Sequence, residues 1–98
     1  MGLLDGKVVI VTGGGHGIGR AYCLGIAREG GTAVVADIDE KAADVVAKAI
    51  KDSRGKSLAT KVDVANFSSC KEMAQKTLDA HGKIDGLVNN AAIFMSVP

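Results

Sequence analysis

Apolar residues along this chain fall into two kinds of pattern, and the two alternate. Val8-Val9-Ile10-Val11 is a continuous apolar run that stops at Thr12 and Gly13. Ala33-Val34-Val35-Ala36 is a second, stopping at Asp37, and Ile84 to Val88 is a third, broken by Asp85 and Gly86 and closing on Asn89-Asn90. Runs that are apolar at every position predict strands buried on both faces, as in parallel sheets sandwiched by helices. Ser57 to Val62 alternates more weakly, which predicts an edge strand.

The stretches between carry helical spacing. Gly17 to Arg28 places Ile18, Ala21, Leu24 and Gly25 three to four residues apart, with Gly30-Gly31 as a stop. Lys41 to Lys51 presents Ala42, Val45, Val46, Ala49 and Ile50, and Asp39 stands where a cap belongs. Phe67 to His81 presents Phe67, Cys70, Met73, Ala74 and Leu78 between Asn66, a cap residue, and Gly82, a terminator. The order is therefore β-α-β-α-β-α-β, an α/β pattern without repeats or linkers. Right-handed crossovers would arrange the strands 3-2-1-4, with two helices on one face and the third on the other.

The richest chemical signal is Thr12-Gly13-Gly14-Gly15-His16-Gly17-Ile18-Gly19-Arg20. It follows a strand and opens a helix, the setting in which backbone N–H groups and the helix dipole hold a phosphate. A mononucleotide phosphate loop would need Lys and then Ser or Thr after the second glycine. Arg20 and Ala21 follow Gly19 instead, so the lysine and the magnesium-binding hydroxyl are both missing. The GxGxxG spacing fails as well: from Gly13 it meets Ile18, and from Gly15 it meets Arg20. What fits is Thr-Gly-x-x-x-Gly-x-Gly. Asp37, about twenty residues further on at the end of a strand, can accept hydrogen bonds from ribose hydroxyls and would repel a 2′-phosphate. Asp39 competes for that role, although its place favours capping.

With this turn, the opening Asp5-Gly6-Lys7 and the late Asn89-Asn90-Ala91-Ala92, nearly the whole chain resembles the short-chain dehydrogenase/reductase family. The resemblance implies a partial Rossmann-like, doubly wound parallel sheet and a site for a nicotinamide dinucleotide. It implies that Gly13, Gly15, His16, Gly17, Ile18 and Gly19 line the cofactor, with Asp37 and Ile38 at the ribose. Asp63 and Val64 would sit at the adenine, and Asn90, Ala91 and Ala92 beside the adenosine ribose. Ala92 stands where the family has glycine. NAD is favoured over NADP, because no Arg or Lys stands directly beside Asp37.

Composition narrows the remaining choices. Hydrophobic residues at 47 % predict a packed core, and 98 residues suffice for one domain. Twelve basic against eleven acidic side chains, with no basic run, make nucleic acid and acidic membranes poor partners. Cys23 and Cys70, each inside a predicted helix, suit free thiols in a reducing compartment. No leader or membrane span is evident, and a cytoplasmic location is expected. His16 and His81 have no neighbours at metal-ligand spacing, so no metal site is expected. Tyr22 lacks a lysine four residues later and is expected to pack rather than react.

By resemblance, the serine, tyrosine, lysine and second asparagine of the family's hydride-transfer chemistry lie beyond Pro98. No catalytic residue is therefore expected in this chain. It would be the N-terminal NAD-binding part of one domain, inactive alone, marginally stable and open at the strand ending near Asn90. The parent is expected to be a homo-oligomeric oxidoreductase acting on an alcohol or carbonyl. A non-catalytic module sensing redox state through the same dinucleotide is the alternative.

Overall fold

The computed structural model describes residues 2–91. Four strands, β1 (Val8–Thr12), β2 (Thr32–Asp37), β3 (Lys56–Lys61) and β4 (Gly86–Asn89), alternate with three helices. These are α1 (Gly17–Arg28), α2 (Glu40–Asp52) and α3 (Phe67–His81). All strands are parallel and the sheet order is β3-β2-β1-β4. That is the order right-handed crossovers predict. β2 is buried at every position, which explains its unbroken apolar run.

Each face of the sheet has its own core. Val11, Ala33 and Val35 meet Cys23 and Ile26 of α1 and Ala43, Val46, Ala47 and Ile50 of α2. On the other face Val8, Ile10, Val34 and Ala36 meet Val62 and Met73, the latter from α3. Burial pushes the Cys23 thiol up to about 12, so it is an inert packing group. Cys70 is half-buried, and both cysteines are free.

The elements fall where the pattern places them, but the buried faces of the helices are rotated from the expected stripes. On α1 the inward residues are Gly19, Cys23 and Ile26, while Ile18 and Ala21 are exposed. The reason is steric: a Cβ at Gly19 would collide with the Gly13 carbonyl oxygen, so only glycine can face the sheet there. Tyr22 is 46 % exposed, so whatever packing it makes is partial. On α2, Ala43 and Ala47 are buried and Val45 is exposed, because small residues let the helix sit close to the sheet. On α3, Phe67 is 82 % exposed and Leu78 is also exposed. Thr77 is buried in their stead, its hydroxyl donating to the Met73 carbonyl at 2.9 Å.

Two side chains tie the ends of β1 to β4. Asp85, whose charge interrupts the third apolar run, accepts the Val8 N–H at 2.8 Å through Oδ2. Its own N–H donates to the Val8 carbonyl at 2.8 Å. The Val8 N–H donated to the carboxylate and Lys83, 3.0 Å away, hold the Asp85 carboxyl below its usual range. The other tie, at Thr12, belongs to the site.

Candidate cofactor site

The carboxyl ends of β1, β2 and β3 meet the glycine turn at one corner of the sheet. Gly13 begins the turn with φ +70°, and Gly17 ends it with φ +52°. Both lie in the left-handed region that favours glycine. Gly15 is squeezed: an added Cβ would lie 2.8 Å from Ala42 Cβ and 2.9 Å from Asp37 Oδ2. Before Gly17 there is only open space. The turn is thus packed tightly against protein along its inner side and open at the start of α1.

The caps show the same asymmetry. Asp39 accepts the Ala42 N–H at 3.1 Å and caps α2, and Asn66 accepts the Ser69 N–H at 3.0 Å and caps α3. At α1 the capping position is His16, and no side chain caps that helix. Among the described helices, α1 alone has no side chain capping its first N–H groups. These groups carry the positive end of the helix dipole, a ready place for an anion.

Asp37 is 6 % exposed and both of its oxygens are engaged. Oδ2 accepts the Gly15 N–H at 3.0 Å and Oδ1 accepts the Asp39 N–H at 3.0 Å. The carboxylate therefore fixes the glycine turn to the β2–α2 corner, and each oxygen retains a further lone pair. Asp39 also meets His16, with Oδ2 and Nε2 3.1 Å apart. The Ala42 N–H first and the His16 ring second draw the Asp39 carboxyl below its ordinary value.

Gly13, Asp37, Ile38, Asp63, Val64 and Ala91 line one cleft of about 190 Å³ together with Val62 and Ala65. Six residues expected from the sequence thus come together here. Asp63 turns its chain by accepting the Ala65 N–H at 3.0 Å, and its own N–H donates to Ser69 Oγ at 2.8 Å. Gly15 is joined to the cleft through its bond to Asp37, whereas His16 bonds to Asp39 and neither lines the cleft. Gly17 and Ile18 stand on the exposed side of the turn, while Gly19 is buried beneath it. The Asn90 side chain lies behind the turn, where a Cβ at Gly13 would meet its Nδ2 at 3.2 Å. Ala92 lies outside the described residues.

A larger cleft, about 260 Å³, lies between α1 and α2 at Leu24, Arg28 and Ile50. It sits toward the opposite ends of the strands and shares no residue with the turn. No group of three or more His, Cys, Asp or Glu gathers into a metal-binding cluster among the described residues. No described helix is long and apolar enough to cross a membrane.

Sequence reading missed the part played by Thr12. Its Oγ accepts the N–H groups of Asn90 at 3.1 Å and Ala91 at 3.2 Å. It also donates to Asn89 Oδ1 at 3.1 Å. One hydroxyl therefore sets where the chain leaves β4 and so where Ala91 meets the cleft. The available signal was a hydroxyl at the last position of an otherwise apolar strand.

A parallel sheet with an uncapped, glycine-opened helix at the carboxyl ends of its strands defines a doubly wound α/β protein. The chain belongs to the short chain dehydrogenase family, whose model matches residues 7–98. An oxidoreductase of Thermotoga maritima is 46 % identical over 93 residues, covering 94 % of this chain and 36 % of that protein. The 2,5-dichloro-2,5-cyclohexadiene-1,4-diol dehydrogenase of Sphingobium indicum is 43 % identical over 90 residues, covering 92 % and 35 %. Among solved structures, a short chain dehydrogenase from Mycobacterium avium superimposes with a TM-score of 0.91 at 39 % identity, over 97 % of this chain and 36 % of the other. A 7α-hydroxysteroid dehydrogenase complexed with NADH and 7-oxo glycochenodeoxycholic acid gives 0.86 at 36 % identity, over 88 % and 34 %. The chain thus spans little more than a third of the length of these relatives.

Proposed function

We propose that the whole protein is an NAD-dependent oxidoreductase that interconverts an alcohol and a ketone or aldehyde, and that this chain supplies its dinucleotide site. When bound, the cofactor accepts or gives up the hydride. The chain's own residues bind and orient it. The first N–H groups of α1 face the pyrophosphate beside Gly17, and Asp37 accepts from the adenosine ribose with its free lone pairs. The adenine enters the cleft between Ile38 and Val64, with Asp63 at its amino group and Ala91 along the ribose. The observation that carries this reading is the contrast among caps: α2 and α3 are closed by side chains and α1 is left open at a glycine turn.

A carboxylate at the ribose also decides between cofactors. A 2′-phosphate about 4 Å away would be repelled by about 4 kcal/mol at an effective dielectric of 20. Asp37→Asn removes the charge and keeps one oxygen for the Gly15 N–H but sets its amide nitrogen against the Asp39 N–H. A thermal melt therefore accompanies the titration, and the ratio of the two affinities, rather than either alone, is the readout. Titrating the whole protein with NAD and NADP should show the NADP-to-NAD affinity ratio rising about tenfold or more in this variant. An unchanged ratio, or a wild-type protein that binds neither dinucleotide, would overturn the proposal.

A further inference from the structure

The chain contains two Asp-Gly dipeptides, Asp5-Gly6 and Asp85-Gly86, and the structure holds them in opposite ways. We infer that Asp5 is a site of spontaneous isomerisation to isoaspartate in the folded protein, while Asp85 is protected by its contacts. This does not depend on the cofactor reading. In such a reaction the amide nitrogen of the following residue attacks the aspartate Cγ. An N–Cγ bond forms, the Cγ–O bond breaks, and water leaves. The resulting succinimide takes water back at the former main-chain carbonyl, whose bond to nitrogen breaks. The chain thereafter runs through Cγ, with no net change in mass or oxidation state. Glycine favours the attack because no Cβ shields its nitrogen.

Exposure does not separate the two sites, since Asp5 and Asp85 both reach solvent. What separates them is how firmly each carboxyl is tied. Asp85 Oδ2 accepts the Val8 N–H at 2.8 Å and meets Lys83 Nζ at 3.0 Å. The Asp85 N–H is itself bonded to the Val8 carbonyl, and Gly86 stands in β4 in register with Val9. Swinging Asp85 Cγ onto the next nitrogen would break both carboxylate contacts and disturb the first pairing of β4 with β1. The same contacts hold that carboxyl below its usual range, and an ionised carboxylate is the poorer electrophile. Asp5 is tied more lightly, by a single described side-chain hydrogen bond, from the Gly2 N–H to Oδ1 at 3.1 Å. Gly6 is exposed at φ +77°, with nothing within 4 Å of where a Cβ would stand. None of the described hydrogen bonds is donated by its N–H. The left-handed φ favours glycine at this position, so the turn itself selects the residue that leaves its nitrogen bare.

Modification at Asp5 reaches past the turn. Leu4 packs against the core shared by α1 and α2. Its N–H donates to the Glu29 carbonyl and its own carbonyl accepts the Lys7 N–H, each at 2.9 Å. An isoaspartyl residue adds a backbone carbon between Leu4 and Lys7 and so alters the closure of that turn. Incubating the whole protein for weeks in warm neutral buffer, natively and in urea, tests the inference. Peptide mapping with electron-transfer fragmentation then reads isoaspartate at each dipeptide. In the native protein Asp5 should convert about tenfold faster than Asp85 or more, the factor set by about 1.4 kcal/mol of difference in local opening. In urea the two rates should converge. Equal native rates, a faster rate at Asp85, or no isoaspartate at Asp5 in the folded protein would overturn the inference. So would a difference that persisted unchanged in urea, because it would belong to the flanking sequence and not to the fold.

Discussion

Glycines in the turn are required for different reasons, and substitution separates them. Gly17 has a positive φ with nothing near a would-be Cβ, so its constraint is backbone conformation alone. Gly17→Ala should cost about 1 kcal/mol of stability, the ordinary penalty for a left-handed L-residue. Gly19 has no positive φ, yet an added Cβ would strike the Gly13 carbonyl oxygen and come within 2.6 Å of Asn90 Nδ2. Gly19→Ala should therefore cost more, about 2 kcal/mol or above, because backbone must move. Denaturant unfolding of both variants compares them, and equal losses would remove the distinction. The sequence shows that glycines recur at motif spacing, but it cannot show which one is held by sterics and which by φ. Asp37 is a similar case. Its position at a strand end was legible, whereas its grip on the Gly15 N–H depends on how two turns meet in space.

Elements were legible in the chain because their signals are local. Capping residues Asp39 and Asn66, the terminator Gly82 and the strand runs all report on neighbours within a few positions. The inward faces of the helices were less legible, since they depend on how close each helix approaches the sheet. Small residues such as Gly19, Ala43 and Ala47 mark close approach, and larger apolar neighbours such as Ile18 and Val45 turn outward. The role of Asp85 was hidden for a related reason: its carboxylate serves β1, 77 positions away. Asp85 is more acidic folded than unfolded, so its stabilisation is complete above its ordinary 3.8 and is lost as pH falls through the lower folded value. Asp85→Ala should lower the melting temperature at pH 7, and the gap to wild type should narrow as pH falls below about 4. Thermal melts at the two pH values test this, and a gap that widened on acidification would contradict it.

At the scale of the whole molecule, the two ends of the sheet differ. β3 is shielded at its edge by Lys76, whose ammonium donates to the Ala59 carbonyl at 2.9 Å, a charged guard against pairing with another chain. β4 has no such guard among the described contacts, and Leu87, on the α3 face of the sheet, is 58 % exposed. The 98-residue chain studied by itself should consequently self-associate at high concentration and bind hydrophobic dyes. Leu87→Lys should reduce both effects. Sedimentation and dye fluorescence provide the readout, and a monodisperse, dye-negative wild-type chain would count against it.

The place of β1 between β2 and β4 also bears on how the chain assembles during synthesis. During synthesis β1 is followed closely by β2, its neighbour on one side. Its other side stays open until Gly86 to Asn89 emerge, more than seventy positions later. At about 5–20 residues per second, that is a wait of roughly 4–15 seconds. Through that interval the nascent sheet presents Val9 and Val11 on an unpaired margin beside a glycine turn that Asn90 has not yet backed. Chaperones that shelter nascent chains would find their substrate in that window.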